Sequence, residues 1–182
     1  NDMKGSLHAK CNVVITASAL MTARYLEKEY GMPYVAGSFT GRKGAGECMS
    51  RIRAVIDGKT FAPAVPPDRG DKGALIVGEQ LIANGIRRSL ELDFGMGGVD
   101  VATLFSADKA YMREGDRAGV DEEWLKAALN SDQYGIVVCD GLLWELFAED
   151  KSRRFFALPH VAVSSRLGWT SRICPFGNDF FV

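Results

Sequence analysis

Asn12 to Gly58 reads NVVITASALMTARYLEKEYGMPYVAGSFTGRKGAGECMSRIRAVIDG: strand, helix, short strand, glycine-rich loop, helix. This α/β repeat constrains the fold more than any other feature of the chain. Strands that alternate with helices pair in parallel through crossovers, so their carboxyl ends share one edge of a sheet. The first strand is expected over Cys11–Thr16, around the unbroken apolar run Val13-Val14-Ile15. Such runs suit a sheet covered on both faces. Ser18 stands at a helix-cap position, and Ala19, Leu20, Ala23, Leu26 and Tyr30 then keep the helical period as far as Gly31. Pro33–Ala36 is the next expected strand and Gly37–Gly46 a loop. The following helix turns Cys48, Met49, Ile52, Val55 and Ile56 inward before Gly58 stops it.

The rest of the chain repeats the alternation. Lys59–Gly73 has no period and carries Pro63, Pro66 and Pro67, so it reads as a linker or surface crossover. The chain is read as one domain over 1–182, and a lobe boundary, if there is one, falls within 59–73. Further strands are expected at Ala74–Val77, Val99–Phe105, Tyr134–Cys139 and Phe155–Ala162. Helices are expected at Gln80–Phe94, from an Asp121 cap to Asn130, and at Leu142–Ala148. Ser106–Val120 reads as a loop. The tail to Val182 has no clear element, and its Trp169, Phe176, Phe180 and Phe181 either fold back on the body or cover a partner.

Composition narrows the class. With 47% hydrophobic and 25% charged residues, the chain can bury a sizeable core. A net charge of -1 with no basic half excludes a nucleic-acid footprint, and Arg51, Arg53, Arg87, Arg88, Arg153 and Arg154 read as solvated surface. No run approaches the ~20 apolar residues of a membrane span. The start, NDMKGSLHAK, has no signal-peptide core and looks like a trimmed start, which leaves a cytoplasmic location as the default. Cys11, Cys48, Cys139 and Cys174 are widely spaced, and His8 and His160 are the only histidines, so a closed zinc site is not expected. Cys48 and Cys139 read as small buried hydrophobes.

In open parallel sheets, ligands bind beyond the carboxyl ends of the strands. That rule selects a rim of Thr16 and Ser18, Gly37 to Lys43, Gly78-Glu79-Gln80, Ser106 and Asp108, Cys139-Asp140-Gly141, and His160 with Ser164, Ser165 and Arg166. From it come the candidate cofactor-binding residues Ser18, Gly37, Arg42, Lys43, Gly78, Glu79, Asp140 and His160. The loop GSFTGRKGAG is either a flexible turn or an anion contact; it is no P-loop, because Gly44 follows Lys43 where Ser or Thr is required. Glu79 and Asp140 stand where a carboxylate either caps the next helix or binds a ligand, and capping is the simpler reading for both. His160 is structural or catalytic; a Cys139–His160 pair is conceivable on neighbouring strands, but no nucleophile elbow supports a catalytic assignment.

Three runs resemble the nitrogenase component 1 family, which includes the dark-operative protochlorophyllide and chlorophyllide reductases. The first is NVVITASALMTARYLEKEYGMPYV with GSFTGRKGAGECMSRI, similar to a family strand and helix leading to "eekyGiPy" and a glycine loop. The second, ALIVGEQLIANGIRRSLELDFGM, is similar to a strand ending in "GDP" or "GEP" before a helix. The third, DEEWLKAALNSDQYGIVVCDGLLWELFAEDKSRRFFALPHVAV, resembles an acidic helix, the strand "pDlvigs", a short helix and a further strand. EKEYGMPY is the most specific of these, and Gly78-Glu79 follows the β-type rather than the α-type pattern.

The resemblance implies a Rossmann-like three-layer α/β sandwich with a mostly parallel sheet, and the carboxy-terminal portion of an oxidoreductase subunit. Such a domain would wall a metal-cluster or tetrapyrrole site and contact other subunits, either a second copy or a paralogous component 1 subunit, with a reductase ATPase as electron donor. The family domain that supplies cluster cysteines has no counterpart here. The chain by itself is therefore expected to hold no cofactor, and an iron–sulfur or related metal cluster belongs to the full complex. The alternative is a stand-alone module that takes a small anionic ligand at Gly37–Gly46, without redox chemistry.

Overall fold

A computed structural model describes residues 8–147 and 153–158. Among them the elements run β1 (Asn12–Val14), α1 (Leu20–Tyr30), β2 (Tyr34–Ala36), α2 (Arg42–Ile56), β3 (Gly73–Val77) and α3 (Gln80–Phe94). They continue with β4 (Val99–Thr103), β5 (Arg117–Ala118), α4 (Glu122–Leu129), β6 (Tyr134–Cys139) and β7 (Arg154–Ala157). Short 3-10 turns lie at Ala17–Ala19, Lys109–Tyr111 and Gly141–Leu146.

Every strand pairing among the described residues is parallel. β1 and β2 form a small sheet, and the main sheet has the order β5-β4-β3-β6-β7. The chain starts the main sheet at its centre, lays β4 and β5 to one side, then returns to add β6 and β7 on the other. This is the doubly wound order of Rossmann-like folds, with its switch point between the ends of β3 and β6.

Alternation along β3 builds the layers. Ala74 and Ile76 pack with Ala83, Ile86 and Leu90 of α3 on one face. Leu75 and Val77 pack with Leu125 and Leu129 of α4 on the other. β6 splits in the same way, Val138 toward α3 and Val137 and Cys139 toward α4. A period of two on a strand covered by helices on both faces leaves no room for a polar side chain, which is why β3 is apolar throughout. A third cluster joins Val14, Leu20, Ala23 and Ala36 of the small sheet and α1 to Leu81 of α3.

The long elements Gln80–Phe94, Glu122–Leu129 and Tyr134–Cys139 lie where periodicity places them. Other segments depart from expectation. Ser18 caps nothing: it sits in the Ala17–Ala19 turn, and its Oγ lies 2.9 Å from Thr16 Oγ1. The loop after β2 ends at Gly41, and Gly44 and Gly46 lie inside α2. Val13 (42% exposed) and Ile15 (43%) show that the small sheet is not covered on both faces among the described residues. Tyr30, Met49 and Ile56 are exposed as well. β5, within the stretch read as a loop, pairs Arg117 and Ala118 with the end of β4. The Leu142–Ala148 helix is the 3-10 turn Gly141–Leu146. The aromatic tail and the second half of the Phe155–Ala162 strand lie outside the described residues.

Two glycines let α2 and the loop before it close on α3. A Cβ on Gly85 of α3 would collide with Ser38 Oγ, so the strand-to-helix loop lies directly on the helix. Gly41, at φ 69°, occupies backbone space open to glycine, and a Cβ there would meet Ser89 and Asp93. Arg87 and Arg88 complete the junction, contrary to their reading as solvated surface, whereas Arg51, Arg53 and Arg154 are exposed as that reading expects. Arg87 is 2% exposed, with Nη1 donating to Asp116 Oδ1 at 2.7 Å and Nη2 to Asn84 Oδ1. Arg88 grips Glu47 of α2 through Nε at 2.9 Å and Nη2 at 2.5 Å, and Glu91 through Nη1 at 2.5 Å. Arg113 reaches the other Glu91 oxygen at 2.5 Å. Arg153 is buried too, its Nη1 donating to Leu129 O at 2.7 Å.

Gly85→Ala is expected to cost about 1–3 kcal/mol through overpacking, read as a lower urea midpoint at unchanged m-value. A pH series tests the ion network. Burial pushes Glu47 up, but the Arg88 hydrogen bonds, the Ala64 N–H and the charges of Arg88 and Arg113 pull it further down, leaving it below its ordinary value. A carboxylate depressed in this way stabilises the fold above its unfolded pKa and loses that contribution as pH falls through its folded pKa. Between about pH 5 and pH 3, the native protein should therefore lose stability more steeply than Glu47→Gln. Parallel curves would show that Glu47 contributes nothing.

Candidate functional site

The carboxyl ends of β1, β3 and β4 meet in a cleft of about 570 Å³. Its floor is the start of α3. Glu79 precedes that helix, and its Oε2 accepts from Leu81 N and Ile82 N, both at 3.0 Å. Its other oxygen accepts from Ala17 N at 2.6 Å, so one carboxylate caps α3 and ties the end of β1 to the end of β3. Gln80, 3% exposed, clasps the loop after β4: Nε2 donates to Asp108 O at 2.8 Å, and Oε1 accepts from Asp108 N at 2.9 Å. Asp108 in turn holds Arg24 of α1 at 2.6 Å. Hydrogen bonds to Tyr34 and then to Asp108 push the Arg24 guanidinium further up. Tyr111 is pushed up to about 12 by burial and by its hydrogen bond with Tyr34. Hydrogen bonds and an ion pair thus tie the cleft wall together, while Met21 (82% exposed) and Phe105 (37%) give its mouth an apolar surface.

The candidate residues divide. Ser18 and Glu79 line this cleft. Gly78 lies beside it at the end of β3, where a Cβ would come within 3.2 Å of Leu158 Cδ2. Asp140, 3% exposed at the end of β6, caps the Gly141–Leu146 turn by accepting from Leu142 N at 2.9 Å. Gly37 faces Cys48 Sγ instead, at 3.6 Å from a built Cβ. Arg42 and Lys43 open α2 next to the far end of α3, where Lys43 N donates to Asp93 Oδ1 at 2.8 Å. Fourteen residues along a helix separate Glu79 from Asp93, a rise of roughly 20 Å, so the two basic residues stand away from the cleft. His160 lies outside the described residues. Arg24 and Met21 carried no signal in the sequence, because nothing in a helical period tells which exposed face borders a cleft.

Carboxylates occupy the starts of α2, α3, α4 and two of the 3-10 turns, though not that of α1. Asp93 sits on α2, Glu79 on α3, Asp121 on α4, Asp108 on the Lys109–Tyr111 turn and Asp140 on the Gly141–Leu146 turn. An incoming anion at any of these N-termini would meet like charge where a dipole alone would attract it. A larger cleft of about 720 Å³ opens at the opposite, amino edge of the main sheet. There Asp100 accepts from Arg69 Nη2 at 2.6 Å and Tyr134 OH at 2.9 Å. Burial and then the Asp100 hydrogen bond push the Tyr134 phenol up to about 12. This arrangement anchors the crossover segment. Open parallel sheets bind ligands beyond the carboxyl ends of their strands, which favours the carboxyl-edge cleft, here on the β4 side of the switch point.

The described cysteines do not fit an iron–sulfur cluster. Cys11, beside β1, Cys48, on α2, and Cys139, ending β6, are free thiols on three separate elements. Burial raises the pKa of each, Cys139 far above the ordinary thiol range. Cluster ligation needs converging thiolates, and these are separate and protonated. Among the described residues no group of three or more His, Cys, Asp and Glu side chains is placed to hold a metal ion. No described helix is long and apolar enough to cross a membrane.

Fold and cleft together define a Rossmann-like α/β domain with an open cleft at the carboxyl ends of its strands. No family model matches the chain. Over 79 residues it is 37% identical to a subunit of the light-independent protochlorophyllide reductase of Picea mariana, an alignment that covers 43% of this chain and 75% of that relative. At that identity and coverage, the chain belongs to the same nitrogenase-like family of oxidoreductase subunits.

Glu79→Ala is expected to cost about 2 kcal/mol, since it removes both the cap on α3 and the tie to Ala17. Denaturation gives the energy. Amide exchange faster at Ala17 than at Ile76 would locate the loss at the cleft rather than in the core.

Proposed function

We propose that this chain is a domain of a multi-subunit nitrogenase-like reductase, and that its carboxyl-edge cleft forms one wall of a site for a tetrapyrrole-like substrate. The observation that carries this reading is the likeness to a protochlorophyllide reductase subunit, together with a cleft of about 570 Å³ at the strand ends. The cleft suits a broad, flat, mainly apolar ligand with polar edges: Met21 and Phe105 offer apolar surface, and Thr16, Ser18 and Arg24 offer hydrogen-bonding groups. A half-open cleft covers only one side of such a molecule. A second copy or a paralogous subunit would close the other, and electrons would enter from a separate reductase. The described residues hold no thiolate set, so a metal cluster of the complex would be ligated outside them.

The stand-alone anion-binding module is the weaker reading. Asp93 accepts from Lys43 N at the very helix start that the glycine-rich loop would offer to an anion.

Titration of protochlorophyllide into the purified chain under anaerobic conditions tests the proposal. A saturable red shift of its absorption bands is expected, weakened at least about tenfold by Met21→Asp, which places a charge on the apolar mouth. An unshifted spectrum at micromolar protein, both alone and with the partner subunit present, would overturn it.

A further inference from the structure

A second cavity, of about 430 Å³, lies between α2 and α3 and shares no lining residue with the carboxyl-edge cleft. Its size falls in the range of small-molecule sites. Much of its wall is apolar or small, including Cys48, Leu81, Tyr111 and Met112. Four arginines also line it: Arg51, Arg87, Arg88 and Arg113.

The charges do not cancel. Asp116 pairs with Arg87, Glu47 with Arg88, and Glu91 with both Arg88 and Arg113. Three carboxylates thus serve three of the guanidinium groups. Among the described residues, Arg51 is left with one backbone acceptor, Ala36 O, at 3.2 Å from Nη1. Its positive charge favours ionisation of both Cys48 and Tyr111, so it acts on the cavity rather than on bulk water alone. The Nε of Arg87, another lining residue, is buried without a hydrogen-bond partner, but it is enclosed and does not face the cavity.

We propose that this cavity binds a small amphipathic organic anion, with its carboxylate or phosphate head on Arg51 and its apolar body against Cys48, Leu81, Tyr111 and Met112. The surplus positive charge selects the head group, and the apolar wall rejects a bare inorganic ion. A guanidinium has five donors and Arg51 spends one on Ala36, so a bidentate contact with the head group leaves that backbone bond in place. Occupancy would lock α2 against α3, because the ligand touches both.

Cys48 reports on the site, since it lines the cavity and is 8% exposed. Its alkylation by iodoacetamide can be followed by peptide mass spectrometry in the native chain, with benzoate and phenyl phosphate as probes. Saturable protection of Cys48 is expected from one or both, and the stronger protector identifies the head group. Arg51→Gln should weaken protection roughly tenfold or more, and Arg51→Lys should restore part of it. Met112→Trp, which fills the cavity and leaves the charges alone, should abolish protection even if Arg51→Gln does not fold. Protection by benzyl alcohol equal to that by benzoate would overturn the role of charge. Protection by inorganic phosphate equal to that by phenyl phosphate would overturn the role of the apolar wall. Alkylation unaffected by millimolar probe would overturn the site.

Discussion

α3 is enclosed on nearly every side, yet it carries Arg87, Arg88 and Glu91 in its middle turns. A buried charge without a partner costs several kcal/mol, so the fold is viable only if other segments bring counter-charges to this helix. They do so from three directions. Glu47 arrives from α2, and Asp116 and Arg113 from the loop before β5. Ala64, in the crossover segment, closes the set, its carbonyl accepting from Arg88 at 3.0 Å and its N–H donating to Glu47 at 3.1 Å. The small sheet, the crossover and the main sheet are therefore fixed relative to α3 by electrostatics as much as by apolar packing. Apolar contact alone is non-directional and would hold α2 on α3 at several offsets; bidentate pairs with defined geometry select one.

The same helix organises the cleft. Its first residue beyond the cap, Gln80, fixes the loop after β4, and its cap, Glu79, fixes the turn after β1. Two loops from different sheets thus converge on a single helix start. The consequence is chemical: where a helix dipole would offer positive potential to a phosphate, a structural carboxylate already takes it up. A domain built in this way favours ligands recognised by shape and apolar contact over ligands recognised by negative charge. That is compatible with membership of a nitrogenase-like family and with the broad substrate proposed for the cleft. The cavity between α2 and α3 has the opposite character, because there an arginine is left over after the carboxylates are spent.

The cysteines follow the same division between scaffold and chemistry. Cys139 is fully buried at the end of β6 and packs among Leu75, Val77 and Val137, so it fills volume. A rim position along the chain did not make it a rim side chain, because the period of two on β6 turns it under α4.

The architecture was legible in the chain before any contact was known. The apolar run at β3, the helical period of Gln80–Phe94 and the Asp121 cap are local signals, and a period of two or 3.6 needs no distant partner to be read. Glu79 and Asp140 were legible as caps for the same reason, since a cap acts within three residues. Which glycines make a loop and which pack a helix was settled only by the folded molecule, because Gly44 and Gly85 answer to neighbours far away in sequence. Folding also settled that Arg87 is buried while Arg51 stays exposed, that Arg42 and Lys43 open α2 beside Asp93 rather than at the cleft, and that Arg24 borders it. Charge on a helix face has no local preference for burial. Where it ends depends on which carboxylate another segment brings, and that is a property of the assembled fold.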